Sequence, residues 1–215
     1  MAALEGGWAA WQAAGYPVEG KKAAALATAA APDEESGESQ ETVLGSADAP
    51  VTIVEFSDLQ CDYCRQHALE TLPRIVETYV DDGQVRYVWR DLPLEMHANA
   101  QTAAEAAHCA GAQGAFWPMH HRLFEAQAEW SPLEGRALAA VLAGYAADLE
   151  LDTAAFDRCL ETEQFGEQVR QDALEASQAG LSATPAFLVN GQLLTGAQPF
   201  ERFQELIDAA LNAGE

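Results

Sequence analysis

The chain has 215 residues, 49% of them hydrophobic, enough for one core or for one core carrying an inserted subdomain. Its formal net charge is -23, and its two lysines, Lys21 and Lys22, both lie near the N-terminus, so the basic footprint that nucleic acid requires is missing and no such partner is expected. No apolar run approaches the roughly 18 residues of a membrane-spanning helix, so no transmembrane segment is expected, and the four cysteines lie in a chain too long to be a small disulfide-stapled scaffold.

In chain order, Leu4, Trp8 and Trp11 recur at helical spacing, so residues 2–15 read either as a short amphipathic helix that docks on the domain or a partner, or as a frayed alanine-rich tail. "KKAAALATAAAP" (21–32) has the positive pair, apolar stretch and small residues of a secretory leader, but twenty residues that include Glu5 and Glu19 precede it. "PDEESGESQE" (32–41) is acidic and lacks apolar residues, as a disordered linker does. Residues 1–41 are therefore expected to form a disordered or loosely docked head, with one folded domain over 42–215.

Within that domain, "VTIVEFS" (51–57) is a β-branched run and predicts a buried strand. A helix should follow from about Cys61 to Val80, kinked at Pro73, which cannot donate its backbone hydrogen bond. "GQVRYVWRDLP" (83–93) places Val85, Tyr87 and Trp89 on one face of a second strand. Residues 97–180 are alanine-rich and helical, with breaks at 111–114, at 130–132 and near Leu151. "PAFLVNGQLLTG" (185–196) is two apolar runs around Asn190-Gly191, which suits a tight hairpin. Residues 199–213 close the chain as an amphipathic helix with Phe200, Phe203, Leu206, Ile207 and Leu211 on one face.

The chemistry-bearing stretch is "EFSDLQCDYC", with Cys61 and Cys64 three apart where strand gives way to helix. A thiol attacks a disulfide only as its thiolate, and a free cysteine with a pKa of about 8.5 is mostly protonated at neutral pH. A sulfur at the start of a helix meets unpaired N–H groups and the positive end of the dipole, which favour the anion by about 0.3 to 2 kcal/mol. That makes Cys61 the expected nucleophile and Cys64, one turn further in, the resolving thiol. Asp62 and Tyr63 tune the pair, Asp62 opposing the thiolate by about 0.5 to 1 kcal/mol. Glu55, on the buried strand, is a candidate to exchange a proton with Cys64, or else a member of a structural ion pair.

A metal reading stays open but is poorly supplied. His67 follows the cysteines at one-turn spacing, but no second Cys-x-x-Cys or His-x-x-x-His provides further ligands, so His67 reads as a helix residue near the site. His120 and His121 are adjacent, cannot face one ion together, and read as part of a solvated face. No glycine-rich phosphate loop is visible, so no organic cofactor is expected. Cys109 and Cys159 read from the residues alone as two buried free cysteines.

The motif "EFSDLQCDYC", the helix behind it, the helical block, and Thr184-Pro185 before a late hairpin together resemble the DsbA-like branch of the thioredoxin superfamily, over residues 43–213. The resemblance implies an α/β, thioredoxin-like fold with an inserted α-helical subdomain at about 96–180. It implies a thiol-disulfide oxidoreductase acting on protein substrates with thiols or disulfides, together with a redox partner that one sequence does not identify. It also implies a cis Thr184-Pro185 bond facing the cysteines, where Thr184 pairs with a substrate strand and Pro185 keeps metal away. A buried acid at the place of Glu55 and a second disulfide between Cys109 and Cys159 belong to the same pattern. Strongly oxidising members carry proline and histidine between the cysteines; with Asp62 and Tyr63 instead, a potential between about -270 and -120 mV is expected. The rivals are a reductase or isomerase of the same fold and a non-catalytic zinc or static-disulfide module. The cysteines favour a compartment outside the cytoplasm or the cell envelope, the weak leader a cytoplasmic one. The acidic, lysine-poor composition resembles that of proteins from salt-loving organisms.

Overall fold

The structure, a computed structural model, describes residues 42–213, and the expectations for the head, with Trp8 and Trp11, for the leader-like stretch and for the linker lie outside those residues. Five strands, β1 (Val43–Leu44), β2 (Val51–Ser57), β3 (Val85–Asp91), β4 (Ala186–Val189) and β5 (Gln192–Thr195), form one mixed sheet in the order β1-β3-β2-β4-β5. β2 runs parallel to β3, with Glu55 opposite Trp89 and Ser57 opposite Asp91, and antiparallel to β4. A parallel pair needs a long crossover, and the helical run α1, from Asp62 to Val80, supplies it.

α1 differs from the expected kinked α-helix. Its α-helical parts, Asp62–Gln66 and Leu72–Ile75, alternate with π-helical turns at His67–Thr71 and Val76–Val80. Pro73 lies in the first turn of its own α-helical segment, where a missing N–H is tolerated, and the wider turn before it absorbs the mismatch.

The sheet is covered on both faces, which is why β2 is buried along almost its whole length. On one face Ile53, Val85, Tyr87 and Phe187 pack against Leu72, Ile75 and Tyr79 of α1 and against Phe200, Phe203 and Ile207 of the last helix, α8 (Phe200–Ala213). On the other face Val54, Phe56, Val88 and Leu188 meet Ala176 and Ala179. At the end of β3, Trp89 enters a third cluster with Phe116, Leu123 and Phe124 that also holds all four cysteines.

Most of that third cluster comes from the helical layer between β3 and β4, which comprises α2 (Ala100–Gly111), α3 (Phe116–Glu125), α4 (Gln127–Trp130), α5 (Gly135–Asp148), α6 (Thr153–Glu161) and α7 (Gly166–Gln178). The three expected breaks occur, the last capped by the Asp152 carboxylate, which accepts from Ala155 N at 2.9 Å. Two further breaks, at Ala126 and at 162–165, contain no glycine or proline to announce them; Glu163 takes the left-handed turn in the second, at φ 48°. Asp91 ties this layer to the sheet, accepting from Trp89 Nε1 at 2.8 Å and from His108 Nε2 at 2.6 Å. The hairpin turns at Asn190-Gly191, both at positive φ, and the Asn190 side chain accepts from Thr52 N at 2.7 Å.

Candidate active site

The loop between β2 and α1 is shaped by Asp58, whose side chain is fully buried. One carboxylate oxygen accepts from Gln60 N at 2.7 Å; the other accepts from Leu94 N at 2.8 Å and from His97 Nδ1 at 2.7 Å. The Asp58 carbonyl accepts from Cys61 N at 3.0 Å, which sets Cys61 in extended geometry at the N-cap position, with the helix beginning one residue later. Across the loop, buried Gln127 donates to the carbonyls of Leu59 at 2.8 Å and Cys61 at 3.2 Å. Gln60 donates to Ser131 Oγ at 2.8 Å and accepts from Asn99 N at 2.8 Å. The cysteine loop is therefore bolted to the helical layer on three sides.

Both cysteines are reduced and buried, Cys61 with 6% of its surface exposed and Cys64 with none. Cys61 Sγ lies 3.6 Å from the Thr184 carbonyl oxygen, so the cis-bonded Thr184-Pro185 loop stands directly against the sulfur. The Cys61 thiol is lowered from an ordinary 9.0 to about 6, chiefly by the Cys64 thiol, which donates to its thiolate, and then by the Thr184 side chain and the backbone N–H groups of Cys64 and Tyr63. The helix start contributes, as the spacing suggested, but the neighbouring thiol contributes more. Cys64 moves the other way, well above the ordinary value, first because it is buried and then because Cys61 and Glu55 sit beside it. One sulfur is thus prepared to ionise and the other to keep its proton.

Glu55 is completely buried in β2, and burial raises its carboxyl from 4.5 to about 7. Among the described residues no ion pair holds it. Tyr87 donates to Oε2 at 2.6 Å, while Oε1 has no hydrogen-bond partner. Ser57, on the same strand face, has a buried hydroxyl with no hydrogen bond of its own; it lies beside both Glu55 and Cys64 and lowers the pKa of each. Ser57, Tyr87, Gln127 and Asp58 were not singled out from the sequence. A serine one strand period from Glu55 was the one signal available; the other contacts join segments far apart in the chain.

The remaining candidates fall outside this cluster or change character. Asp62 and Tyr63 point to solvent, Tyr63 with 67% of its surface exposed. His67, read as a helix residue near the site, lies in the first π-helical turn of α1, fully buried and 2.9 Å from the Tyr87 hydroxyl. The solvated-face reading fails for His120, which is buried with ring centroids 4.7 Å from Trp89 and 4.9 Å from Phe124; it faces the sheet because α3 turns its apolar side that way. His121 does face solvent, 3.4 Å from Glu125. Among the described residues no cluster of three or more metal-ligating side chains occurs. Cys109 and Cys159 are joined in a disulfide, with Cα atoms 5.8 Å apart, between α2 and α6.

Comparison with known proteins agrees with this architecture. Residues 37–209 match the thioredoxin family. The chain is 26% identical to BdbD of Bacillus subtilis in its oxidised crystal structure, with a TM-score of 0.72 over 81% of this chain and 96% of that one. Wolbachia pipientis alpha-DsbA1 gives 25% identity and the same TM-score, 0.72, over 81% of this chain and 94% of that one. A curated Na(+)/H(+) antiporter NhaA 1 of Salinispora arenicola is 39% identical over 169 residues, 78% of this chain but 24% of its own length, so the chain spans about a quarter of that relative. With the sheet order, the helical layer and the two neighbouring cysteines in place, the family match establishes that the chain belongs to the thioredoxin family, and its fold is similar to those of BdbD and alpha-DsbA1.

Proposed function

We propose that Cys61 and Cys64 form a redox pair that makes or exchanges disulfides in protein substrates. The observation that carries this reading is the asymmetry of the two thiols, Cys61 lowered to about 6 and facing the Thr184 carbonyl, Cys64 buried and raised. In the oxidising direction a substrate thiolate attacks Cys61 Sγ, the Cys61–Cys64 bond breaks, and Cys64 leaves, taking a proton from Glu55. A second substrate thiolate then attacks the substrate sulfur of the mixed disulfide and expels Cys61 as a stable thiolate. In the reducing direction Cys64 attacks Cys61 and passes its proton to Glu55. Thr184 and Pro185 line the approach, and the Thr184 backbone pairs with an extended substrate segment.

A low Cys61 pKa favours the reduced form and makes the disulfide more oxidising than that of thioredoxin. Against it, Asp62 and Tyr63 stand between the cysteines where strongly oxidising relatives carry proline and histidine. Ion transport, named for the longer curated relatives, is not carried over to this chain. The test is stoichiometric oxidation: the isolated disulfide form mixed with a reduced, unfolded substrate should pass its disulfide on and gain two thiols. A protein that instead keeps its pair oxidised, or whose reduced form holds zinc, supports the static-disulfide or zinc reading.

A further inference from the structure

Tyr87 lies mid-strand in β3, fully buried, on a sheet face where its neighbours Ile53, Val85 and Phe187 are apolar. Its hydroxyl nevertheless has two close polar partners, Glu55 Oε2 at 2.6 Å and His67 Nε2 at 2.9 Å. A carboxylate only accepts, so the single hydroxyl proton goes to Glu55. The other partner of the Tyr87 oxygen must then donate, which fixes His67 as the tautomer protonated at Nε2. His67 Nδ1 makes no hydrogen bond, and the ring packs against Phe187 at 4.5 Å and Phe203 at 5.2 Å. Burial holds the imidazole at about 3, so it stays neutral across the pH range of thiol exchange.

We propose that Tyr87, oriented by a neutral His67, is the positioning residue for Glu55: its hydroxyl fixes the carboxyl's rotamer and, by donating to the ionised form, keeps a fully buried acid able to give up its proton. The inference rests on the reading of Glu55 as the proton partner of Cys64. The groups around the carboxyl come from every packed element: Ser57 on β2; Cys61 at the N-cap of α1; Cys64 and, through Tyr87, His67 on α1; Phe187 opposite on β4; and from α3 Trp117, edge-on to Tyr87 at 6.3 Å, with His120 beyond it. Tyr87, which donates to Oε2, is the stronger of the two neighbours that oppose burial, and the nearby Ser57 is the other. During resolution the Cys64 S–H bond breaks, the proton joins Glu55, the Cys61–Cys64 bond forms and the substrate leaves as a thiolate. Tyr87 keeps its proton throughout, since burial and the neighbouring Glu55 carry its own pKa well above the ordinary value.

The test replaces Tyr87 by phenylalanine, which removes one oxygen, and follows Glu55 directly through its protonated-carboxyl stretch in difference infrared spectra, with Glu55→Gln to identify the band. The decay of a trapped mixed disulfide is measured against pH in parallel. The infrared midpoint should rise by roughly one to two pH units in Tyr87→Phe, because a hydrogen bond to a charged group is lost. In His67→Phe, which leaves the hydroxyl but removes the group that orients it, the midpoint should rise by less. An unmoved midpoint in a folded Tyr87→Phe protein overturns the inference, and if that variant does not fold, an unmoved midpoint in His67→Phe does so. If the midpoint moves in Tyr87→Phe while its mixed-disulfide decay keeps the original pH profile, the positioning role stands and the role of Glu55 as proton partner falls.

Discussion

Cys61 and Cys64 differ by one helical turn, yet one is lowered to about 6 and the other raised well above 9.0, and each is a main cause of the other's shift. Because the Cys64 thiol is the largest contributor to the Cys61 anion, Cys64→Ser should keep a hydroxyl donor, retain a reactive Cys61 and accumulate mixed disulfides, visible by mass spectrometry. Cys64→Ala should do the same with a raised Cys61 pKa, because the donor is gone. Glu55 offers a second prediction, read in the oxidised protein where the thiols do not titrate. Its native value of about 7 lies above the ordinary 4.5, so the native state binds this proton more tightly than the unfolded state does. Its stabilising contribution is complete below about pH 4.5 and is lost as the pH rises through 7, an effect on the order of 3 kcal/mol. Glu55→Gln should flatten that slope in urea unfolding at pH 5 and pH 8; an unchanged slope would mean that Glu55 titrates normally. The sequence disclosed the cysteines and Glu55 because each stands in a local pattern. It did not disclose Tyr87 or His67 as a polar pair, since a tyrosine in an apolar strand and a histidine in a helix acquire partners only when the sheet and α1 pack together.

At the scale of elements, strand periodicity and the Asn190-Gly191 turn were readable because they are local, and so was the order strand, helix, strand, though not the parallel pairing of β2 with β3 that it allows. The π-helical turns of α1 were not readable: a proline predicts a disturbance but not how the backbone distributes it. The contacts that fix the cysteine loop were equally hidden, since Gln127, Asn99 and Ser131 lie in an alanine-rich stretch where polar residues read as surface. Gln127 is the informative member. Its side chain donates to the carbonyls of Leu59 and of Cys61 itself, and it is 5% exposed. Gln127→Ala should destabilise the fold by about 2 kcal/mol, because buried acceptors lose their donor. The same variant should broaden or shift the amide resonances of Leu59 to Cys61 in nuclear magnetic resonance spectra. A loss of stability without any local spectral change would place the effect elsewhere.

For the whole molecule, two features act on stability rather than on chemistry. The disulfide between Cys109 and Cys159 closes a loop with a sequence separation of 50 inside the helical layer. On the chain-entropy estimate such a bridge stabilises the fold by about 4 kcal/mol, so replacing both cysteines by alanine should lower the unfolding midpoint accordingly. Buried as both sulfurs are, the bridge should persist in peptide maps under reductant mild enough to open only the Cys61–Cys64 pair. The charge of -23 is the second feature. Self-repulsion on that scale is screened by salt, so the melting temperature should climb as sodium chloride rises from about 0.1 to 1 M, where the Debye length falls from roughly 10 to 3 Å. Neither feature bears on the proposed disulfide exchange, which rests on the inequality of Cys61 and Cys64. The most direct measurement is the thiolate absorbance at 240 nm of the fully reduced protein, titrated with pH alongside Cys61→Ser. One thiolate should appear with a midpoint near 6 and be missing in the variant. A first midpoint at or above about 8.5, or a low midpoint that survives in Cys61→Ser, would contradict the account.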